Sequence, residues 1–185
     1  MLCHRAKDLR MINTDRNTSA SDTEFLEFAQ RVFQLARTGD AQMLERLLTK
    51  GLPPNMSNHN GDTLLMLAAY HGHAEAAEAL LEAGAEPDRF NDKSQTPLAG
   101  AIFKGFQPIV ELLLAQGAQP GFAPPGAKTP VMFAAMFNRL EILKVLLEHG
   151  ADINARSTEG LSALDLARTM RAPDSVAFLE ALRPA

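Results

Sequence analysis

Residues 61–85 have the sequence GDTLLMLAAYHGHAEAAEALLEAGA. Thr63 precedes a run of apolar residues that ends at Gly72, and a second run, rich in alanine and leucine, ends at Gly84. Threonine is a favoured helix N-cap, and glycine readily adopts the left-handed backbone that ends a helix. The stretch therefore predicts two short helices joined by a tight turn.

A period of 33 residues repeats this pattern along the chain. Three columns of equivalent residues carry the period: the glycine after the first helix, the glycine after the second, and the threonine before the first. Their members are Gly39, Gly72, Gly105 and then Asn138; Gly51, Gly84, Gly117 and Gly150; and Thr63, Thr96, Thr129 and Ser162. Independent columns with one common period predict a repeat protein.

Each period is predicted to form a helical hairpin and a projecting loop. The Thr or Ser hydroxyl accepts from the first free backbone N–H groups, and Pro97 and Pro130 follow where a helix needs no donor. Asn138 replaces glycine in the fourth unit because asparagine also tolerates the left-handed backbone. Leucine pairs such as Leu80-Leu81 mark the second helix, after which a polar loop leads to the next unit.

These units resemble the ankyrin repeat. The resemblance covers about residues 25–185 and rests on the period and on starts such as QTPLAGAIFKGFQPIVELLLAQGAQP and KTPVMFAAMFNRLEILKVLLEHGADINA. It implies an all-α solenoid of helix–turn–helix units with projecting β-turn or hairpin loops. We expect a flexible tail over residues 1–21 and a repeat domain over 22–185. The expected units span about 25–57, 58–90, 91–123, 124–156 and 157–185.

One column departs from the ankyrin pattern. Ankyrin repeats usually have a hydrogen-bonding histidine after Thr-Pro-Leu, whereas the equivalent residues here are Met66, Ala99, Met132 and Asp165. We therefore expect that most of the polar bridge between neighbouring units is missing.

Both ends of the stack should be closed by atypical units. Ser21 and Glu24 have the spacing of a capping box, which predicts a longer first helix that starts there. Its apolar face is expected to cover the open end with Phe25, Phe28, Ala29, Val32, Phe33 and Ala36. A final helix starting at Pro173-Asp174 is expected to turn inward Val176, Phe178, Leu179 and Leu182.

Composition and charge exclude several classes of protein. The net charge of −4 divides into +2 over residues 1–20 and −6 over the rest, which argues against nucleic-acid binding. No apolar run approaches the length of a membrane span, and charges interrupt the first twenty residues where a signal peptide would be apolar. One cysteine, Cys3, excludes an internal disulfide. We expect a cytoplasmic protein that is monomeric when free.

The close pair His71 and His73 raises the question of a metal or acid–base site. A metal site needs three or four converging ligands, and the other histidines lie in the tail, a loop and a helix end. We interpret the pair as junction residues between two helices, with a contact role for His71. No nucleophile elbow or phosphate-binding loop is present, so we expect no enzyme, no metal and no cofactor.

The ankyrin resemblance implies a concave face built from first-helix ends and loop fingers. Aligned first-helix ends are Arg37-Thr38, Tyr70-His71, Phe103-Lys104, Met136-Phe137 and Thr169-Met170. The fingers contribute His59, Asn60 and Asp62, then Asp92, Lys93 and Gln95, then Pro125, Gly126 and Lys128, and then Thr158 and Glu159. Tyr70, Phe103, Met136 and Phe137 are expected to form a row, flanked by Phe90 and Phe122 at the loop roots. The expected rim charges are Asp92, Lys93, Lys104 and Lys128. Apolar anchors within a charged rim are typical of protein-binding surfaces.

Two functions fit this sequence. The first is a non-catalytic adaptor or inhibitor that binds a protein partner in the concave groove. The second is a regulatory or stabilising subunit of a specific enzyme complex, which makes contact through the tail or the convex face. A repeat fold implies an extended binding surface but does not identify the partner.

Overall fold

A computed structural model describes residues 20–182 of the chain. Within this range the chain forms ten α-helices and no strand, which confirms the predicted all-α repeat fold. The helices form five consecutive pairs: α1 (Ala20–Thr38) with α2 (Ala41–Thr49), α3 (Leu64–His71) with α4 (Ala74–Glu82), α5 (Pro97–Lys104) with α6 (Gln107–Ala115), α7 (Pro130–Met136) with α8 (Leu140–Glu148), and α9 (Ala163–Thr169) with α10 (Pro173–Ala181). None of these helices is long and apolar enough to cross a bilayer.

The helix starts follow from the threonine column. The hydroxyl oxygens of Thr63, Thr96, Thr129 and Ser162 each accept a hydrogen bond from the backbone N–H three residues later, at 3.1, 3.1, 3.4 and 3.2 Å. These predicted N-caps are confirmed. At the first helix, α1 begins at Ala20, so Ser21 lies inside the helix rather than before it, and its side chain lies outside the described residues.

Two residues of the column that lacks the histidine make polar contacts within their own units instead of between units. The Met66 sulfur accepts from the Thr63 backbone N–H at 3.4 Å, and the Asp165 carboxylate accepts from the Ser162 N–H at 3.0 Å. Both close a capping box within their own unit. Hydrogen bonds to the Ser162 hydroxyl and backbone lower the pKa of Asp165. The polar contact therefore stabilises the start of a helix.

The turn between paired helices uses a left-handed residue in every unit. Gly72 and Gly105 have φ of 88° and 81°, and Asn138 follows with φ of 53°. Arg171, one period later, also has a positive φ of 55°, a position that we did not predict. After it, the Ala172 N–H donates to the Ala167 carbonyl at 2.9 Å, which is the Schellman arrangement.

Side chains of the next unit cover the glycines of this column. A Cβ on Gly72 would lie 2.9 Å from the Phe106 ring, and a Cβ on Gly105 would lie 2.8 Å from the Arg139 guanidinium. At Gly72 the ring therefore requires glycine by space as well as by backbone angle, whereas at Gly105 the flexible Arg139 side chain could shift and the positive φ is the main requirement. At Asn138 the equivalent residue of the next unit is only Ala172, so a larger turn residue fits. Its side-chain amide donates to Asp174 at 2.7 Å and accepts from the Ser175 N–H at 3.0 Å.

One continuous hydrophobic core runs through the stack. The first helices of the pairs form one row, in which α1, α3, α5, α7 and α9 each contact the next. The second helices form a neighbouring row in the same way, from α2 through α4, α6 and α8 to α10. At the N-terminal end α1 covers the core with four buried residues, Ala29, Val32, Phe33 and Ala36. The expectation that Phe28 is buried is wrong, because its side chain is 40% exposed.

The C-terminal helix closes the other end. Leu179 is buried, and Val176 and Phe178 are half-buried against the core, as expected. Leu182 is 48% exposed, so the expectation that it faces inward is wrong. It is the C-cap residue of α10 and keeps a helical backbone, so it continues the helix beyond the buried Leu179.

Hydrogen bonds also join the loops of neighbouring units. The Asn55 side chain accepts from the Glu86 N–H at 2.8 Å and donates to the Gly84 carbonyl at 3.3 Å. One period later Asp88 accepts from the Gln119 N–H at 3.2 Å through each of its oxygens. A carboxylate has no hydrogen to donate, so Asp88 lacks the second bond that Asn55 makes.

Replacing Asp88 with asparagine should stabilise the protein at neutral pH by about 0.5 kcal/mol, within the range of surface substitutions. Burial raises the pKa of the Asp88 carboxyl above its ordinary value of 3.8, although the Gln119 N–H offsets part of this rise. A raised folded-state pKa means that stability is lost as pH rises from 3.8 through the folded pKa. The variant should therefore gain most at pH 7 and lose that gain on acidification.

Urea unfolding of Asp88→Asn at pH 7 and at pH 3 measures this difference. Asp152→Asn, which changes an exposed loop carboxylate, is the control. Equal gains at both pH values would contradict the assigned role of the Asp88 charge.

Candidate protein-binding groove

The ends of the first helices and the loop fingers enclose a groove at the second and third helix pairs. Its volume is about 540 Å³. The helix wall of the groove consists of Arg37, Tyr70, His71, Phe103 and Phe133. Its floor consists of Met66, Leu67, Thr96, Ala99 and Gly100. The opposite wall, formed by the loop fingers, consists of Asn60, Asp62, Asn91, Lys93 and Gln95. The groove thus has one aromatic wall and one polar wall.

The aromatic wall is a continuous series of rings from three units. The Tyr70 and Phe103 rings are stacked, with centroids 6.3 Å apart, and Phe137 meets Phe103 edge-on at 4.9 Å. Phe133 stacks on Phe137 at 6.2 Å. Tyr70 and Phe103 stay 40% and 44% exposed although they contact each other. The helix ends therefore present an apolar surface that the described residues leave open.

The floor is low because one residue of a periodic column has no side chain. Leu67, Gly100, Phe133 and Leu166 are equivalent residues of the first helices. At Gly100 a Cβ would lie 3.6 Å from the Tyr70 ring, an ordinary contact distance, so packing does not require glycine there. The missing side chain opens the groove between Tyr70 and Phe103.

The finger wall is fixed by amide side chains. The Asn91 amide donates to Asp62 at 2.7 Å and to Gln95 at 3.1 Å, while its oxygen accepts from two backbone N–H groups of its own finger. Asn58 bonds the other Asp62 oxygen at 3.0 Å. Neighbouring fingers are joined by the Asp92 N–H donating to the Asn60 carbonyl at 3.1 Å. The polar wall is therefore held rigidly before any partner binds.

Positive charge collects at the helix ends beside the groove. Arg37, His71 and Lys104 lie in the last turns of α1, α3 and α5. The Lys104 ammonium lies 4.9 Å from the centre of the Tyr70 ring, across the unit boundary. Burial lowers the pKa of His71, and the nearby charges of His73, Arg37 and Lys104 lower it further. Arg37 and Lys104 therefore place two cations beside His71 at one end of the aromatic wall.

His73 has a structural role. One of its ring nitrogens lies 2.8 Å from the Arg37 carbonyl oxygen, and Arg139, two periods later, donates to the Phe103 carbonyl at 3.1 Å. Both side chains thus join the turn of one unit to the first helix of the preceding unit. Between residues 20 and 182 no group of three or more His, Cys, Asp or Glu side chains is placed to hold a metal ion.

The other expected site residues are dispersed. Phe90 and Phe122 contact each other at 6.5 Å, but neither lines the groove, and Phe90 borders a separate hollow with residues 86–89. Met136 packs against the core, so Phe137 continues the aromatic row. Asp92 is exposed beside the finger wall, and Lys128 is half-buried in the loop before α7. Neither of these two residues lines the groove.

Stacked pairs of short helices with a 33-residue period, threonine caps and projecting loops define the ankyrin class of repeat protein. Two family models match the chain: ankyrin repeats (3 copies) over residues 32–123 and ankyrin repeats (many copies) over residues 113–167. The chain belongs to the ankyrin repeat family. Ankyrin repeats are in general protein–protein interaction modules.

A protein of Pseudomonas aeruginosa that is named as an ankyrin repeat protein is similar to part of this chain. The two are 56% identical over 59 residues. The match covers 32% of this chain and 34% of the relative. The similarity therefore supports the repeat assignment and carries no partner over to this chain.

Proposed function

We propose that this protein is a non-catalytic adaptor or inhibitor that binds a protein partner in the groove. The observation that carries the proposal is the stacked pair Tyr70 and Phe103, two large rings that stay nearly half exposed over a low floor. Exposed aromatic side chains at the centre of a polar rim are the usual anchors of protein interfaces. The rigid finger wall supports the same proposal, because a preorganised surface loses little entropy on binding.

Tyr70→Ala and Phe103→Ala should each weaken partner binding by about thirty-fold or more, since truncating a central aromatic anchor costs about 2 kcal/mol. The partner is first captured from the native host with the wild-type chain and with Phe103→Ala in parallel. Each variant is then titrated against the purified partner, and circular dichroism checks that helicity is unchanged.

Three control variants locate the surface. Glu78→Ala and Glu111→Ala change exposed residues of α4 and α6, the second-helix row, and should leave binding unchanged. Phe90→Ala removes an equally exposed phenylalanine outside the groove and decides whether the Phe90–Phe122 pair belongs to the site. Loss of binding in the Glu78 or Glu111 variants, with normal binding by Phe103→Ala, would favour the enzyme-subunit alternative.

Gly100→Leu should weaken binding without destabilising the fold. Leucine restores the side chain found at the equivalent Leu67 and Leu166, and a residue with a side chain is preferred over glycine inside a helix by about 0.5–1 kcal/mol. The new side chain would fill the floor beneath Tyr70 and Phe103. We expect affinity to fall at least about ten-fold, the loss of one hot-spot contact. Unchanged binding by a folded Gly100→Leu protein would show that the floor is not used.

A further inference from the structure

The charges around the groove are not balanced within the described chain. Asp62 is the one carboxylate among the lining residues, and both of its oxygens already accept hydrogen bonds from Asn58 and Asn91. Arg37 and Lys93 also line the groove, and Lys104 lies over Tyr70 at its edge. The ion pairs among the described side chains of residues 23–182 join Arg31 to Glu27, Lys144 to Glu141 and Arg168 to Glu180, and none of them involves these three cations.

Arg37 is the least exposed of these three cations. Its side chain is half-buried, yet its guanidinium donates no hydrogen bond to any group in the part of the chain that the structure describes. A guanidinium carries five N–H donors in a planar fork that matches a carboxylate. The helix end beside it carries only about half a negative charge, less than one cation needs for neutrality.

Resting on the proposed function, we infer that the groove recognises an acidic segment of its partner protein. An Asp or Glu carboxylate of that segment pairs with the cluster of Arg37, His71 and Lys104. A neighbouring apolar side chain of the segment lies between Tyr70 and Phe103, over Gly100. Charge complementarity of this kind accelerates association and selects the partner.

The contrast with the rest of the chain supports this choice. Residues 21–185 carry a net charge of −6, so the groove, with Arg37, Lys93 and Lys104 beside one bonded carboxylate, is locally more basic than the chain as a whole. An acidic protein surface repels an acidic partner, whereas a local cationic site attracts it. A basic peptide would instead meet three cations and a carboxylate that is already bonded.

A random peptide library displayed on phage, selected on the full-length protein and depleted on Phe103→Ala, tests the inference directly. Peptides that survive should be enriched in Asp and Glu next to an aromatic or aliphatic residue. The best peptide is then synthesised with its acidic residues and as the matched amide, with Asn for Asp and Gln for Glu. We expect the amide form to bind about ten-fold more weakly, the loss of one charge pair, and the acidic form to weaken as salt rises.

Protein variants provide the second half of the test. Arg37→Gln and Lys104→Gln should each weaken the acidic peptide but not its amide form, and Lys104 is exposed enough that its loss leaves the fold intact. Lys50→Gln, an exposed cation at the end of α2, is the matched control. Urea unfolding of each variant excludes a folding defect.

His71 adds a pH readout that a purely structural cluster would not show. It faces Arg37, His73 and Lys104, and a bound carboxylate would favour its charged form. The complex would then hold more protons than the free protein, so affinity should rise as pH falls from 7.5 to 5.5. The pH dependence of affinity is measured for the wild type and for His71→Asn. Because His73 and the peptide are present in both, the difference between the two belongs to His71.

The outcomes separate the inference from the proposed function. Groove-dependent peptides without acidic enrichment, or an acidic peptide unaffected by Arg37→Gln and Lys104→Gln, would overturn the inference and leave the groove as a binding site. Failure of every peptide to distinguish the wild type from Phe103→Ala would overturn the proposed function as well.

Discussion

Replacing Phe33 with alanine is expected to lower the free energy of unfolding by about 3 kcal/mol, the lower end of the range for truncating a buried phenylalanine. Phe33 is 5% exposed and belongs to the face of α1 that covers the core at the open end of the stack. Its loss would leave a cavity in the core that α1 covers. Urea unfolding followed by circular dichroism measures the change.

Phe28→Ala is the matched control for Phe33→Ala. The same helix carries both residues, but Phe28 is 40% exposed and should cost well under about 1.5 kcal/mol, less than full burial of such a side chain is worth. Equal losses in the two variants would mean that the cap extends beyond the buried face described here.

Gly72→Ala is expected to destabilise the protein by about 3 kcal/mol, from two causes that add. Alanine in a left-handed turn costs roughly 1 kcal/mol, and its Cβ would lie 2.9 Å from the Phe106 ring. Overpacking of this kind costs about 1–3 kcal/mol more. The measurement is the shift in the urea midpoint at constant slope.

Gly84→Ala separates these two causes. Gly84 has a φ of 91°, close to that of Gly72, but nothing lies within 4 Å of its Cβ position. It should therefore show the backbone cost of roughly 1 kcal/mol alone. When Gly72→Ala is added to the Phe106→Ala variant, the further loss should be only the backbone cost, because the ring that its Cβ would meet is gone. A loss for Gly84→Ala as large as that for Gly72→Ala would contradict the clash.

The fold could be predicted because local chemistry and period agree in the three central units. The caps at Thr63 and Thr96 and the turns at Gly72 and Gly105 depend only on hydroxyls and on left-handed backbone, which sequence columns record directly. At Phe28 the apolar pattern overestimated the buried face. Among the described helices α1 packs mainly against α2 and α3, so its buried stripe is narrower than its apolar one.

The candidate site was only partly predictable. The alignment of Tyr70 with Phe103 followed from the period, and their stacking is what the alignment suggests. In the fourth unit α7 ends at Met136, and Phe137 follows as its C-cap, which shifts the aromatic row by one residue. The low floor was not predicted. Gly100 could have indicated it, because this glycine lies inside an apolar helix at a column that elsewhere holds a large side chain. The separation of Phe90 and Phe122 from the groove depends on loop paths that spacing does not encode.

The steric pairing of turns with the following unit also constrains how this sequence can diverge. Gly39 with His73 and Gly72 with Phe106 are couples in which a larger first residue demands a smaller second one, whereas the flexible Arg139 side chain over Gly105 can shift. Where the second is Ala172, the first has become Asn138. Substitutions in an evolving lineage should therefore occur in order: the covering side chain shrinks first, and only then can the glycine one unit earlier be replaced.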